Sequence, residues 1–306
     1  MVTSPLPAGR HPASTTKPAR VARGAASPPG GVSGRALGAL VALATALIVA
    51  FVLAPARLAA NGRSRDLVDH RHLVEAVHGA FVQYWRSGDR AFTPDLARIT
   101  DYWLRYHVVK GAIAAALLIV LVALTVLVWK MFCRATGLGA VARTALASAG
   151  AFATMLALLA LAAVMANIQG MKAPFASLLP MLTEGATDQN LATALGQATQ
   201  QLADPARGGA QAPPALDAMT DAFSRYHVAM AVIAAVVAAA LLGTSVLLWR
   251  TFARGEPMER RTRRVLASYA VLTALLTLGL VALMVGNIGA AGRSPQVLLD
   301  ALRGGL

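Results

Sequence analysis

Two short polar strings recur in a largely apolar chain of 306 residues, Arg105-Tyr106-His107 and Arg225-Tyr226-His227, and sixty positions beyond each histidine stands an asparagine, Asn167 and Asn287. Imidazole ligates metals and haem iron, guanidinium and phenol hold headgroups, and an asparagine amide can orient an imidazole. The eight residues form a candidate outer polar cluster, with His107 and His227 as candidate cofactor ligands. A competing expectation is an interfacial belt. In it Arg, Tyr and His anchor a helix at headgroup depth, Asn satisfies a fraying helix end, and no cofactor is bound.

Other chemistry is sparse. His70, His72 and His78 share a segment with Asp66, Asp69 and Glu75, but His70 and His78 lie eight apart, about 80° around a helix. Metal ligands on one helix want a spacing of three or four, so no metal is expected there. The one cysteine, Cys133, excludes an internal disulfide and reads as a small packing residue. The chain has no Gly-rich phosphate loop, no G-x-S-x-G elbow and no H-E-x-x-H. No catalytic residue is assigned, and the expectation is a protein that is not an enzyme.

The elements that must position the polar cluster follow from composition. Apolar residues make up 57% of the chain and charged ones 14%, against about a quarter charged in globular proteins. They gather in five runs, 36–56, 108–129, 145–168, 228–249 and 265–288, each long enough for ~30 Å of hydrocarbon. The fold class expected is all-α, a polytopic membrane protein with five transmembrane helices. Lys110 lies one turn inside its run and can reach back to the headgroups.

The net charge of +14 is distributed by topology. The head 1–35 and the two short segments after the second and fourth runs are basic and nearly free of acids, with Glu256 and Glu259 the exceptions. Short basic loops belong in the cytoplasm, which puts the N-terminus inside and the C-terminus outside a cell membrane. Nucleic acid is excluded as a partner, because these segments lack the aromatic residues that stack bases. The head, rich in Pro, Gly, Ser and Ala, is expected to be disordered. Run 36–56 reads as an anchor. Ala54-Pro55-Ala56 also suits a signal cleavage site, but about 20 apolar residues exceed a signal core.

Sliding the chain against itself by 120 positions aligns 94–182 with 214–302 at 29 identities in 89 positions without a gap. Trp129, Leu146-Ala147-Ser148 and Asn167-Ile168 recur as Trp249, Leu266-Ala267-Ser268 and Asn287-Ile288. A shared apolar bias cannot supply Trp, His and Asn matches, so the chain carries a tandem duplicated hairpin, both copies in the same sense, behind the N-terminal anchor. The organisation expected is head 1–35, anchor 36–56, outer helical segment 57–93, copy one 94–182, outer helix and linker 183–213, and copy two 214–306.

Each copy begins before its first apolar run. Leu96, Ile99, Trp103 and Tyr106, and likewise Leu216, Met219, Phe223 and Tyr226, step by 3, 4 and 3 and define one helix face. From Pro94 to the membrane, such a helix projects about 21 Å. Leu67, Val74, Val77, Phe81 and Trp85 form a further stripe, and Leu191, Leu195, Ala198 and Leu202 a weaker one. The stretches beyond each asparagine, broken by proline, suggest short helices at the outer interface. Within the bilayer, Ala231-Ala235-Ala239-Gly243 and Ala145-Ala149-Ala153-Ala157 offer small residues for helix contact.

The expected function is a non-catalytic scaffold or binding module that presents outer helices to an envelope partner or a second copy of itself. Trp103 and Phe223 are the candidate partner-binding residues. The alternatives are a passive transporter or channel-like facilitator around the repeat axis, and a haem or metal-binding redox protein using His107 and His227.

Overall fold

The computed structural model describes residues 1–2, 34–134, 137, 139–185, 188–204, 213–254 and 258–304. The expected disordered head therefore lies almost wholly outside the described residues, as does most of the linker before the second copy. The described residues are helical, with no strand among them. In order they form α1 (Gly34–Ala59), α2 (His70–Ser87), α3 (Pro94–Arg134), α4 (Ala140–Lys172), α5 (Pro174–Leu178), α6 (Gln189–Ala203), α7 (Pro214–Ala253), α8 (Arg260–Gly292) and α9 (Ser294–Leu302). Single 3-10 turns at Arg65–Val68 and Leu179–Leu182 precede α2 and follow α5.

Five of these helices, α1, α3, α4, α7 and α8, are long and apolar enough to cross a membrane. All run past the apolar stretches, because polar flanks of good helix formers continue the same hydrogen-bond ladder. Helices α3 and α7 begin 120 positions apart, and α4 and α8 both begin and end 120 positions apart.

The five helices pack in a row. α1 lies on α3, α3 on α4, α4 on α7, and α7 on α8. Helix α1 docks Leu37, Leu40, Ala44 and Leu47 against Leu117, Leu121 and Leu124 of α3. Its last turn is tied down as well: the Ala59 carbonyl accepts from Arg105 Nε at 2.9 Å, and the Ala56 carbonyl from the Tyr102 hydroxyl at 3.5 Å. Ala54-Pro55-Ala56 thus lies inside a continuous helix.

The small-residue contacts match the expected stripes only in part, at Ala231 and Ala153. On α7 the buried set is Ala231, Ala234 and Ala238, while Ala239 and Gly243 are exposed. On α4 it is Gly150, Ala153 and Ala160, while Ala145 and Ala149 are exposed. Alanine occupies so many neighbouring positions that a four-residue stripe exists on several faces, and the partner helix selects among them. Gly150 is required by close approach, since a Cβ there would meet the Trp129 ring at 2.7 Å.

At one end of the row stands a helical cap. Helices α2, α5, α6 and α9 close over the first turns of α3 and α7 around one apolar core that includes Leu67, Phe81, Tyr84, Leu96, Ile99, Leu178, Leu182, Leu191, Met219 and Leu298. The expected lone stalks are therefore packed elements of a folded unit. The apolar stripes read on α2, α3, α6 and α7 supply its core, where hydrophobic burial contributes ~1.5–3 kcal/mol per large side chain. Lipid gives no such gain between helices in a bilayer.

Local signals fix the cap's helix ends. Asp69 accepts from the backbone N–H of Arg71 at 2.9 Å and of His72 at 3.2 Å, and these bonds hold its carboxyl below its ordinary value. Gly88 ends α2 in the left-handed region at φ 66°. Tyr84 donates its hydroxyl to the Ala215 carbonyl at 3.3 Å, joining α2 to α7. Burial pushes its phenol up to about 12.

Candidate functional site

Histidine, asparagine and their neighbours come together in each copy where the hairpin meets the cap. In copy one, His107 Nδ1 lies 3.1 Å from Asn167 Oδ1, and Asn167 Nδ2 donates to the Ala163 carbonyl at 2.7 Å. In copy two, the corresponding distances are 2.9 Å from His227 Nδ1 to Asn287 Oδ1 and 2.9 Å from Asn287 Nδ2 to the Leu283 carbonyl. A backbone carbonyl can only accept, so each amide presents its N–H to it and turns its oxygen toward the imidazole. An amide oxygen only accepts, so Nδ1 carries the proton and, in the neutral ring, Nε2 presents a lone pair.

The two lone pairs meet different surroundings. Around His107 the neighbour is polar: Ser177 Oγ stands 3.5 Å from Nε2, accepts from Trp103 Nε1 at 2.9 Å and donates its proton to the Pro174 carbonyl at 2.8 Å. The ring lies edge-on to Trp103 and flat against Gly170, where a Cβ would meet imidazole atoms at 2.5 Å. In copy two, the positions 120 further on hold Phe223, Ala290 and Val297 in place of Trp103, Gly170 and Ser177. His227 lies edge-on to Phe223, and its buried Nε2 has no hydrogen-bond partner among the described residues.

His227 lines a cavity of about 390 Å³ between the copies, walled by Leu179 and Pro180 from one side and Phe223, Tyr226 and Leu302 from the other. His107 is not in its wall. Paired axial ligation of one haem by His107 and His227 would require breaking the contact between His107 and Ser177.

The other expected site residues are placed as follows. Arg105 bonds the end of α1 and pairs with Asp101 at 3.2 Å. Asp221 pairs with Arg90, and Arg225 is exposed. Tyr106 stacks on Trp103 and accepts from Lys110 Nζ at 3.0 Å. The Tyr226 carbonyl accepts from Gln169 Nε2 at 3.1 Å, a direct bond between copies. Trp103 is partly covered and Phe223 is 5% exposed, so both face inward.

Sequence reasoning missed Ser177, Gly170 and Gln169. Comparing the copies at those positions would have singled out all three, because copy two holds Gly289, Ala290 and Val297 there.

The acidic and histidine-bearing segment of the cap holds a surface groove. His70 Nε2 lies 2.8 Å from Glu184 Oε1 and His78 Nε2 lies 2.8 Å from the Met181 carbonyl. No group of three His, Cys, Asp or Glu arranged to hold a metal occurs among the described residues. A second cavity, about 530 Å³, opens at the far end of the row between α3 and α8, with Trp129, Lys130, Glu259 and Tyr269 in its wall. Tyr269 reaches across to the Thr154 hydroxyl.

No protein-family model matches the chain, and neither a curated protein nor a solved structure does.

Proposed function

We propose that the chain is a non-catalytic binding protein of a cell membrane, whose duplicated hairpins hold the helical cap outside and whose cap surface engages an envelope partner. The observation that carries this reading is the shared cap core, to which both copies, α2, α6 and α9 contribute. A folded unit of this size at one end of the spans offers a fixed hydrated surface, along which Arg86 bonds Asn190 at 2.6 Å and Arg90 pairs with Asp221. The basic segments after α3 and α7 support a cytoplasmic position for the opposite end.

Site-specific photo-crosslinking in intact cells tests the reading. A crosslinker at the exposed positions Arg71, Glu75 or Arg86 of α2 captures a partner or a second copy, while one at the buried Phe223 does not. Crosslinks confined to the lipid-facing residues of α8, or none at all, would defeat it.

A second reading, a passive facilitator, draws support from the two cavities that lie at opposite ends of the seam between copies. Proteoliposomes that release entrapped neutral solutes no faster than empty liposomes dispose of it.

A further inference from the structure

The geometry points to the cavity between α3 and α8, at the end of the row opposite the cap, as a binding site for an anionic phospholipid whose phosphate is held by Lys130 and Arg134. This inference concerns the other end of the molecule from the cap surface and stands or falls separately from a partner there.

Two helix faces build the site. Val126, Trp129, Lys130 and Cys133 on α3 step by 3, 1 and 3, and Thr262, Val265, Leu266 and Tyr269 on α8 step the same way, so each set lies on one side of its helix. The faces meet where the Tyr269 ring stands edge-on to Trp129 at 6.0 Å. The volume they enclose, about 530 Å³, falls within the range of small-molecule sites.

The wall is divided along the helix axes. Helix α3 runs toward this end and α8 away from it, so Lys130, Arg134 and Glu259 stand outermost, and Val126, Leu266 and Tyr269 lie roughly one to three turns deeper. Lys130 and Arg134 take part in no ion pair among the described residues, whereas Glu259 is paired with Arg261 at 3.9 Å. Two unmatched cations at one level call for an anion, and guanidinium and ammonium together suit a phosphate. Deeper in, Trp129 Nε1 and the Tyr269 hydroxyl are both taken up by Thr154 Oγ1, and Val126, Val265 and Leu266 leave an apolar surface.

The same wall is open to the lipid-facing side of α3. Val126 belongs to it and is itself 45% exposed, and Ile119 and Val122, seven and four positions earlier on that face, are 70% and 47% exposed. A lipid chain lies along this strip while its head reaches Lys130. A soluble phosphate would use the cations and leave the apolar wall in water. A zwitterionic lipid would bring its own cation against Lys130 and Arg134.

The test uses the full chain in dodecyl maltoside micelles. Bound lipid is counted by native mass spectrometry, and Cys133, the one cysteine and a residue of the wall, is the local reporter. Dioleoyl phosphatidylglycerol is expected to bind saturably, at least about tenfold more tightly than dioleoyl phosphatidylcholine, and to slow alkylation of Cys133 by N-ethylmaleimide over the same concentration range. Lys130→Gln combined with Arg134→Gln is expected to bring phosphatidylglycerol down to the level of phosphatidylcholine while helix content is kept. Equal binding of the two lipids, a preference that survives the double substitution, or bound phosphatidylglycerol that leaves Cys133 fully reactive would each overturn the proposal. So would protection of Cys133 by glycerol phosphate as strong as by the whole lipid, which would assign the cations to a soluble phosphate ester.

Discussion

The two copies share a backbone plan but treat the same histidine in opposite ways. Copy one surrounds His107 with Asn167, Ser177, Trp103 and Gly170, and places a hydroxyl oxygen 3.5 Å from the second ring nitrogen. Copy two keeps the asparagine and replaces the other three with Phe223, Ala290 and Val297. The copies also differ in support. Helix α1 covers copy one, whereas α8 is among the least buried spans. One histidine sits tightly against Gly170 and Trp103, and the other keeps a buried Nε2 without a hydrogen-bond partner among the described residues. The difference teaches that repetition of a motif does not carry repetition of its role.

The largest test of that contrast is a methyl group on either side. Gly170→Ala drives a Cβ into the His107 ring and is expected to destabilise the chain by ~1–3 kcal/mol. Ala290→Gly, the reverse exchange in copy two, is expected to cost only ~0.5–1 kcal/mol through helix propensity. Thermal unfolding in detergent measures both, and equal losses would erase the asymmetry.

Removing the imidazoles gives the next effect. His107→Phe strands the amide of Asn167, which is 5% exposed, and is expected to cost ~1–3 kcal/mol. His227→Phe removes a nitrogen that lacked a partner and leaves behind the more accessible Asn287, so its cost is expected to be the smaller. A His227→Phe variant that unfolds more readily than His107→Phe would reverse the roles assigned here.

A smaller effect comes from transplanting one residue. Trp103→Phe gives copy one the residue of copy two and removes the bond from indole N–H to Ser177, with an expected loss of ~0.5–1.5 kcal/mol. If chemical denaturation finds no loss, Ser177 is not held through the indole.

The smallest expected effect lies in α2, which belongs to neither copy. Asp69 is held below its ordinary value by backbone N–H groups, so its cap is fully present above the ordinary carboxylate range. It is lost as pH falls through the lowered folded value, below pH ~4. Hydrogen exchange at the first turn of α2 should rise in that range, and Asp69→Ala should make exchange there fast at all pH values.

Much of this architecture was legible in the sequence, and each part for a physical reason. The five spans needed only hydropathy and length. Leu67 in the turn before α2, Val74, Val77, Phe81 and Trp85 on α2, and Leu96 and Ile99 on α3 are buried as their spacing implies, because water outside the bilayer forces apolar faces inward. Periodicity could not say that these faces would meet one another, so independent stalks were expected where a cap stands. Inside the bilayer, water does not sort faces, and of the alanine stripes Ala231 and Ala153 are buried while Ala239, Gly243, Ala145 and Ala149 are exposed. The histidine and asparagine pairs were readable from their repeated spacing. The free state of His227 Nε2 was not, because it depends on what positions 177, 297 and 223 bring from other elements.

Helices α3 and α7 pass from the cap core to the opposite end of the row as single rods of 41 and 40 residues, with proline only at their first position. At 1.5 Å per residue each is ~60 Å long. No proline interrupts either rod after its first turn, so each joins the cap core to the opposite end of the spans through one unbroken hydrogen-bond ladder.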